Sequence, residues 1–348
     1  MKTRARTCEG KIANMCCDKN PLRIFIAGDG GWGTANALLL AGYGHDVTVW
    51  GADAAYVREI ARTRANPRYL PGVELPDRIK WTTELSDAAG ADVVVFATPS
   101  RYFEDVCSRF RSHIPADALV VSLAKGFCEQ THVRMTVLAE KALGRGRIVA
   151  LSGPSHAEEV ARGIPTAVVA AAKDVEDAKL VQGIWSGPVF RVYASDDPVG
   201  VEVGGAVKNV IALAVGVSDG LGFGDNTRAA LITRGIAEVA RFAGALGANP
   251  KTVFGLSGMG DLVVTCTSRH SRNRSVGERL GRGERLADVV GSMKMVAEGV
   301  WNAQVVRAMA GELGVEMPIT ETVCRLCHEG LPAKEAISIL MNRPMKGE

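Results

Sequence analysis

The first half of the chain alternates between short apolar runs and longer segments with an apolar face. Arg23–Ala27 is a short, mostly apolar run, a glycine-rich turn follows it at once, and residues 34–41 contain neither proline nor glycine. Short apolar runs bounded by turn residues are typical of buried strands, whereas longer uninterrupted segments are typical of helices. The sequence therefore predicts a strand, a tight turn and a helix at the start of the fold.

The alternation continues to about residue 195. Further strands are predicted at residues 47–50, 92–97, 119–123, 148–151, 167–171 and 190–193. Further helices are predicted at residues 53–64, 102–110, 131–143, 157–162 and 175–185, and the proline-rich residues 66–76 are predicted to form a loop. Strands that alternate with helices are typical of crossover connections in a mostly parallel sheet. We therefore predict an α/β fold with a Rossmann-type sheet that has helices on both faces.

The strand pattern ends near residue 195. Helix-length segments then follow at residues 199–217, 226–246, 274–281, 296–312, 319–328 and 333–341. A chain of 348 residues is also too long for one ordinary core,. We therefore predict a flexible extension at 1–20, a dinucleotide-binding domain at 21–195 and an all-α substrate and catalytic domain at 196–348.

Composition and charge narrow the class of protein. Hydrophobic residues make up 47% of the chain, charged residues 23%, and the formal net charge is +3, which is typical of a globular protein without a nucleic-acid surface,. The longest unbroken apolar stretches are strand-sized, so no membrane insertion is predicted. The eight cysteines are scattered, and residues 1–20 lack the apolar centre of a secretion signal,. These features favour a reduced, cytoplasmic protein.

One cysteine spacing matches a cofactor-attachment pattern. Residues 324–328 read Cys-Arg-Leu-Cys-His, the spacing used for covalent haem attachment,. That chemistry requires export, and the pattern falls inside a predicted helix. A zinc site would need a second pair of ligands, which the sequence does not offer nearby. We therefore predict neither haem nor a metal site.

The glycine-rich turn carries the first candidate chemistry. Between a strand and a helix, Gly28 permits the tight turn, Gly30 lets the backbone approach a pyrophosphate, and Gly33 lets helix and strand pack closely,. The helix start adds amide donors and a partial positive charge. Gly31 and Trp32 complete the candidate cofactor-binding set. The turn therefore predicts a nicotinamide dinucleotide, NAD or NADP.

The choice between NAD and NADP depends on the end of the second strand. An acid there favours NAD and a base favours NADP. Asp53 lies 20 residues after Gly33, the expected separation, although it reads equally well as the cap of the next helix,. Asp29 inside the turn is unusual, because a carboxylate near a pyrophosphate is unfavourable unless it points away. The sequence slightly favours NAD.

Later motifs point to one family. They lie at residues 123–126, 152–157, 204–209, 258–262, 265–267, 271–274 and 298–299. In this order and at these spacings they closely resemble the NAD(P)-dependent glycerol-3-phosphate dehydrogenases of the soluble, bacterial type, from about residue 22 to 343. The resemblance implies interconversion of dihydroxyacetone phosphate and sn-glycerol 3-phosphate. It also implies a cytoplasmic homodimer that supplies glycerol 3-phosphate for phospholipid synthesis.

The resemblance also implies roles for individual residues. The family's catalytic lysine falls on Lys208, its second active-site lysine on Lys125, and the acid beside them on Asp261. The implied substrate contacts are Lys125, Gly153, Ser155, Lys208, Asp261, Thr265, Ser271, Arg272 and Asn273. The implied cofactor contacts beyond the glycine-rich turn are Lys125, Ala157, Arg272, Val296 and Glu298.

These residue types suit reduction of a phosphorylated ketone. Hydride arriving at the carbonyl carbon leaves negative charge on the oxygen, which a lysine can neutralise and protonate if its pKa is drawn towards neutral. Burial of Lys208 or a second ammonium such as Lys125 would lower that pKa, and Asp261 would hold Lys208 in place. Arg272 suits the phosphate, because a guanidinium binds two phosphate oxygens at once.

Departures from the family pattern leave alternatives open. Residues 28–31 read Gly-Asp-Gly-Gly where the family usually has Gly-Ala-Gly-Ser, and Gly51 and Ala52 replace its usual cation after the second strand. An alternative is a related dehydrogenase for a different phosphorylated or acidic keto compound, which would differ around residues 265–273. A catalytically idle cofactor-binding scaffold is a further alternative, but it would be expected to lose one of the lysine, aspartate or arginine residues named above.

Overall fold

The structure, a computed structural model, describes residues 21–293, 296–342 and 344. The predicted extension at 1–20 lies outside the described residues. The chain divides into two compact units. The first holds the chain up to Ala124 together with Met135–Pro198, and the second holds Lys125–Arg134 together with the chain from Val199. The division after Pro198 falls three residues beyond the sequence-based boundary, and the sequence did not separate Lys125–Arg134.

The first unit contains ten strands and six α-helices within the described residues. The strands are β1 Arg23–Ala27, β2 Asp46–Trp50, β3 Ala65–Asn66, β4 Leu70–Glu74, β5 Lys80–Thr82, β6 Val93–Phe96, β7 Leu119–Ser122, β8 Ile148–Ser152, β9 Thr166–Ala171 and β10 Phe190–Ser195. The helices are α1 Gly31–Gly42, α2 Ala54–Thr63, α3 Ser100–Phe110, α4 Met135–Leu143, α5 Ala157–Val160 and α6 Val175–Trp185, with a 3₁₀ turn at Leu85–Gly90.

Eight of these strands form one sheet in the order β10-β9-β8-β7-β6-β1-β2-β5. All neighbours are parallel except β8 and β9. Strands β6, β7 and β8 are buried along their whole length, as expected for a sheet covered on both faces,. The predicted fold class is confirmed. The strand order reverses beside β1, and ligands of such sheets bind at the carboxyl ends of the strands at that point.

Two parts of the first unit differ from the prediction. The expected loop at 66–76 contains the antiparallel pair β3–β4, and β5 adds a strand at the sheet edge. These strands are two to five residues long, and β4 includes Pro71 and Gly72, so their periodicity is too short to detect,. The helix expected at 131–143 begins only at Met135.

The second unit is helical from residue 199 onwards, with no strand among its described residues there, although its first helix begins one residue earlier, at Pro198. Its helices are α7 Pro198–Gly220, α8 Asp225–Ala245, α9 Pro250–Val253, α10 Asp261–Thr267, α11 Arg272–Gly281, α12 Leu286–Gly291, α13 Glu298–Glu312, α14 Pro318–His328 and α15 Ala333–Met341, with a π-helical turn at Leu256–Gly260. All six predicted helices are present. The missed helices α9, α10 and α12 have four to seven residues, too few for a clear helical period,.

Helix α7 is the core of this unit. It has 23 residues, and its most apolar window has a mean hydropathy of 1.5, so by length and composition it alone among the described helices could cross a membrane. However, 94% of that window is buried inside the protein, which is typical of a core helix. The helix has no long unbroken apolar stretch in the sequence, because Glu202, Lys208 and Asn209 interrupt its apolar runs.

Helices α7 and α11 touch backbone to backbone. A Cβ added to Gly216 would lie 2.0 Å from the carbonyl oxygen of Arg274, and one added to Gly277 would lie 2.1 Å from that of Leu213. No real side chain tolerates such distances, so glycine is required at both positions. This contact holds α11 against the second half of α7, which follows Lys208 and Asn209 on the same helix.

Candidate active site

Two lysines share one aspartate in the helical unit. Lys208 Nζ donates to Asp261 Oδ1 at 2.6 Å and to Thr265 Oγ1 at 2.7 Å. Lys125 Nζ donates to the other carboxylate oxygen, Oδ2, at 2.7 Å. Lys208, Asp261 and Thr265 are buried, and the Lys125 side chain is 19% exposed. We call these four residues the lysine cluster. The structure brings together the three residues to which the resemblance gave a catalytic role and one of its implied substrate contacts, Thr265.

The four members of the cluster come from three segments of the chain. Lys208 lies on α7, and Asp261 begins α10 directly after the π-helical turn. Thr265 is one helical turn further on, and its hydroxyl donates to the Asp261 carbonyl at 2.6 Å. A hydroxyl that donates to its own helix can accept from an ammonium, which is the arrangement seen with Lys208.

Lys125 reaches the cluster through the segment Lys125–Arg134. An isolated bridge joins Phe127 and Arg134, and the Phe127 ring packs edge-on against Phe242 of α8 at 6.1 Å. Arg134 forms a largely buried ion pair with Glu202 of α7. These contacts explain why the segment belongs to the helical unit although the sheet surrounds it in sequence.

The electrostatics of the cluster favour a lysine that titrates near neutral pH. Burial lowers the pKa of Lys208 to about 8; Asp261 opposes this shift, and the neighbouring Lys125 adds to it,. Burial also acts to raise the pKa of Asp261, but the two ammonium groups outweigh it and hold that pKa below its ordinary value. Burial is thus the larger of the two causes suggested from the sequence. The cluster carries one ionised acid that orients a lysine able to give and take a proton.

The predicted phosphate residues lie at the start of α11. Ser271 caps this helix by accepting from the Arg274 amide at 3.2 Å. Arg272 is exposed and donates from Nη1 to the Val296 carbonyl at 2.9 Å. Asn273 is buried and accepts from the Gly299 amide at 2.9 Å. The exposed guanidinium at a helix N-terminus is a suitable environment for an anion.

Asn209 connects this helix start to the lysine cluster. It follows Lys208 on α7 and accepts from Asn273 Nδ2 at 2.9 Å with its side-chain oxygen. A Cβ on Gly299 would lie 2.4 Å from the Asn209 carbonyl oxygen, so the start of α13 also packs there. Asn209 lies within the motif at residues 204–209, but its role could not be predicted from that motif. The signal available was its position next to the lysine.

The glycine-rich turn in the first unit has the geometry expected of a nucleotide cradle. Gly28 has φ of +134°, and a Cβ there would lie 2.8 Å from the Ala97 carbonyl oxygen at the end of β6. A Cβ on Gly33 would lie 2.0 Å from the Gly28 carbonyl oxygen. A Cβ on Gly30, by contrast, would meet nothing within 4 Å, so open space faces the first turn of α1.

Further observations agree with a ligand beside this turn. Trp32 Nε1 and Thr98 Oγ1 are buried and have no hydrogen-bond partner among the described residues. A Cβ on Gly31 would come within 3.7 Å of the Ala157 side chain, so Ala157 lies beside the turn as expected. Buried orphan donors and an open helix start fit a dinucleotide with its pyrophosphate at α1.

The remaining predicted residues have contacts within their own units. Gly153 follows β8 with φ of +149°, and a Cβ there would lie 2.9 Å from Val168 Cα. Ser155 donates to the Gly153 carbonyl at 2.9 Å. Glu298 begins α13, one position before Gly299. Asp53 is the cap of α2 and accepts from the Ala55 and Tyr56 amides at 3.1 Å. This geometry supports the interpretation of Asp53 as a helix cap.

Two other features carry no assigned chemistry. Cys324 and Cys327 are free, buried cysteines on α14, and no group of three or more metal-ligating side chains occurs in residues 21–293, 296–342 and 344. A cavity of about 920 Å³ lies among α7, α8, α14 and α15. Its wall includes Glu238, whose pKa burial raises to about 7 and whose carboxylate accepts from the Ile319 amide at 2.6 Å. That carboxylate is therefore used to cap α14.

Comparisons with known proteins identify the family of this chain. Residues 23–178 match the family model for the N-terminus of NAD-dependent glycerol-3-phosphate dehydrogenase, and residues 197–338 match the model for its C-terminus. The chain is 48% identical over 330 residues to a glycerol-3-phosphate dehydrogenase [NAD(P)+] of Geobacter metallireducens, which covers 94% of this chain and 98% of that protein. A protein of the same name from Geobacillus thermodenitrificans is 48% identical over 329 residues, with 93% and 96% covered.

A solved structure is similarly close. The crystal structure of glycerol-3-phosphate dehydrogenase from Coxiella burnetii is 38% identical, with a TM-score of 0.90. The match covers 93% of this chain and 99% of that one. The resemblance expected from the sequence motifs is confirmed over both units.

Proposed function

Because this chain belongs to the NAD-dependent glycerol-3-phosphate dehydrogenase family, we propose that the lysine cluster and the start of α11 carry out the family's reaction in this protein. That reaction is the interconversion of dihydroxyacetone phosphate and sn-glycerol 3-phosphate with NAD(P)H. The first unit binds the dinucleotide, and the helical unit binds the substrate. The observation that carries this proposal is the pair of lysines bonded to the two oxygens of buried Asp261.

Lys208 is the proton donor in the direction of ketone reduction. The bound nicotinamide supplies the hydride. Lys208 neutralises the charge that develops on the carbonyl oxygen and then protonates it. A pKa of about 8 keeps Lys208 mostly protonated at neutral pH, yet weakens its hold on that proton. In the direction of alcohol oxidation, the neutral amine accepts the same proton.

Asp261 and Lys125 support this transfer in different ways. Asp261 fixes the Lys208 ammonium, and its charge limits how far burial can lower the pKa. Lys125 is partly exposed and brings a second positive charge to the same carboxylate. In this proposal it polarises the carbonyl oxygen of the substrate and contacts both the substrate and the cofactor. Thr265 accepts from Lys208 and therefore restricts the direction in which its amine points.

The substrate phosphate binds at the start of α11. A phosphate dianion takes no part in hydride transfer, but its binding energy positions the carbonyl group. Arg272 holds two phosphate oxygens, while Ser271 and Asn273 shape the helix start and its amides. Asn209 follows Lys208 on α7 and is bonded to Asn273 at the start of α11, so it fixes the position of the phosphate site relative to Lys208.

Other residues complete the two binding surfaces. The substrate contacts are those of the lysine cluster and of the α11 start, with Gly153 and Ser155. The cofactor contacts are Gly28, Gly30, Gly31, Trp32, Gly33, Lys125, Ala157, Arg272, Val296 and Glu298. The Val296 carbonyl also accepts from Arg272, so a residue of the cofactor set is hydrogen-bonded to the residue that binds the substrate phosphate.

The cellular role follows from the product. We propose that the enzyme acts in the cytoplasm as a homodimer and supplies glycerol 3-phosphate for phospholipid synthesis. Size-exclusion chromatography with light scattering tests the dimer. Loss of glycerol 3-phosphate after depletion of the protein tests the supply.

Initial-rate measurements test the proposed reaction. NADH and NADPH oxidation is followed with dihydroxyacetone phosphate and with dihydroxyacetone, which lacks the phosphate, for the natural enzyme and for Lys208→Ala. We expect turnover of the phosphorylated ketone and a fall in kcat of about 100-fold or more in the variant, since a proton donor is lost. Replacement of the exposed Lys251 by alanine serves as the matched control. An unchanged kcat with a raised KM would make Lys208 a binding residue instead.

A further inference from the structure

Asp29 points its carboxylate at the end of β2. A Cβ on Gly51, the residue after β2, would lie 2.6 Å from Asp29 Oδ2 and 2.8 Å from its Cγ. The side chain therefore fills the space beside Gly51, where the residue at this strand end has no side chain of its own. An acid in a pyrophosphate-binding turn is unfavourable unless it points away from the pyrophosphate. The Asp29 carboxylate meets this condition, because it points towards β2.

A buried network fixes the backbone of Asp29. Asn66 Nδ2 donates to the Asp29 carbonyl and to Thr34 Oγ1, both at 2.8 Å. Asn66 Oδ1 accepts from the Tyr56 hydroxyl at 2.6 Å and from the Tyr69 amide at 3.2 Å. Asn66 is fully buried and uses both ends of its amide in this network. The position of Asp29 is thus set by the fold rather than by its own side chain.

The charges around the carboxylate are mixed. Asp29 is half-buried, and no side chain in the part of the chain that the structure describes donates a hydrogen bond to its carboxylate; the Asn66 and Thr34 side chains donate to its backbone carbonyl instead. The exposed Arg68 pairs with Asp53 at 3.2 Å, and its guanidinium lies 3.8 Å from the centre of the Tyr56 ring. Two acids and one base give these three groups a net charge of −1, and Ala52 adds no cation.

We propose that Asp29 reads the adenosine ribose and makes this enzyme select NAD(H) over NADP(H). The two ribose hydroxyls donate to its carboxylate, the part that an acid at the end of the second strand plays in other dinucleotide folds. The 2′-phosphate of NADP(H) would bring a dianion against the fixed Asp29 carboxylate, which would weaken binding. Arg68 would not offset this repulsion, because it is already paired with Asp53 and stacked on the Tyr56 ring. The inference rests on the proposed function only in that the glycine-rich turn holds the pyrophosphate.

Binding measurements test this role without catalysis. Dissociation constants for NADH and NADPH are measured by the fluorescence of the bound nucleotide, and those for ADP-ribose and its 2′-phosphate by calorimetry. We expect the natural enzyme to bind NADH at least about 30-fold more tightly than NADPH. Asp29→Ala, which restores the family's usual residue, and Asp29→Asn should both reduce this ratio to about threefold or less. Asp105→Asn, at an exposed acid on α3, should leave it unchanged.

Three results would overturn the inference, and they are distinguishable. Tighter binding of NADPH by the natural enzyme, lost in Arg68→Gln, would make Arg68 a phosphate reader. An unchanged ratio in a folded Asp29→Ala would remove Asp29 from selection; circular dichroism establishes folding, and Asp29→Asn provides a second variant of nearly the same shape. Binding of neither nucleotide nor fragment would overturn the cofactor site itself and, with it, the role of Asp29.

Discussion

The glycine-rich turn and the lysine cluster are built by opposite means. The turn consists of six consecutive residues, Gly28 to Gly33, and its backbone geometry depends on the absence of side chains at its glycines. The lysine cluster uses side chains from three distant segments, with 136 positions between Lys125 and Asp261. The turn is therefore a property of local conformation, whereas the cluster exists only when the helical unit is folded.

This difference has energetic consequences. A buried charge is tolerated only when it is paired and hydrogen-bonded, so each member of the lysine cluster depends on the others. The glycine-rich turn contains no buried ion pair; it requires space at its glycines, for close backbone contacts and for the ligand. Changes in the cluster should therefore affect stability and chemistry together, whereas changes in the turn should separate stability from cofactor binding.

Removal of the shared carboxylate should have the largest effect. Asp261→Ala leaves two neighbouring ammonium groups without a counter-charge, so the free energy of unfolding should fall by about 3–5 kcal/mol. Urea denaturation at pH 7 measures this change. Lys173→Ala, which removes an exposed pair with Glu140 at 2.8 Å, should change it by less than about 1 kcal/mol,. Equal effects of the two substitutions would mean that the cluster is not a buried electrostatic unit.

Loss of the α11 guanidinium should act on binding rather than on stability. Arg272→Ala should weaken substrate binding by about 2–3 kcal/mol, because a charge-assisted bond to the phosphate is lost. KM for dihydroxyacetone phosphate measures this effect, and Arg282→Ala at the other end of the same helix is the control. A variant with an unchanged KM would exclude Arg272 from the phosphate site.

Two glycines of the turn should respond differently to one added methyl group. Gly33→Ala should lower the free energy of unfolding by about 1–3 kcal/mol, because its Cβ would meet the Gly28 carbonyl oxygen at 2.0 Å,. Gly30→Ala should leave stability nearly unchanged, because its Cβ meets nothing within 4 Å, yet it should weaken NADH binding. Thermal unfolding and fluorescence titration measure the two effects. The same response from both variants would contradict the division between packing and ligand space.

Much of the fold could be predicted because its signals are local. The run from β1 through the turn into α1 is contiguous, and the long helices of the second unit repeat their pattern many times. The pair β3–β4 and the helices α9, α10 and α12 were missed because they are too short to show a period. Most of the site depends on contacts between distant segments, which periodicity cannot reveal.

The lysine cluster illustrates that limit. Lys208 on a helix reads as a surface lysine until Asp261 and Thr265 are brought to it, and only the family resemblance pointed there. The segment that carries Lys125 is anchored at its other end by the Arg134–Glu202 pair, which joins residues 68 positions apart. Asn209 was missed for the same reason, since its partner Asn273 lies on α11.

The pH dependence of kcat tests the central claim, that buried Lys208 is the proton donor, most directly. Since the pKa of Lys208 lies at about 8, its protonated fraction falls tenfold per pH unit above that value. The kcat for ketone reduction should therefore decline above about pH 8, and the kcat for glycerol 3-phosphate oxidation should rise through the same pH. Because Asp261 raises that pKa, Asp261→Asn should move both limbs to lower pH. Profiles that stay flat to about pH 10 in both directions would contradict the account.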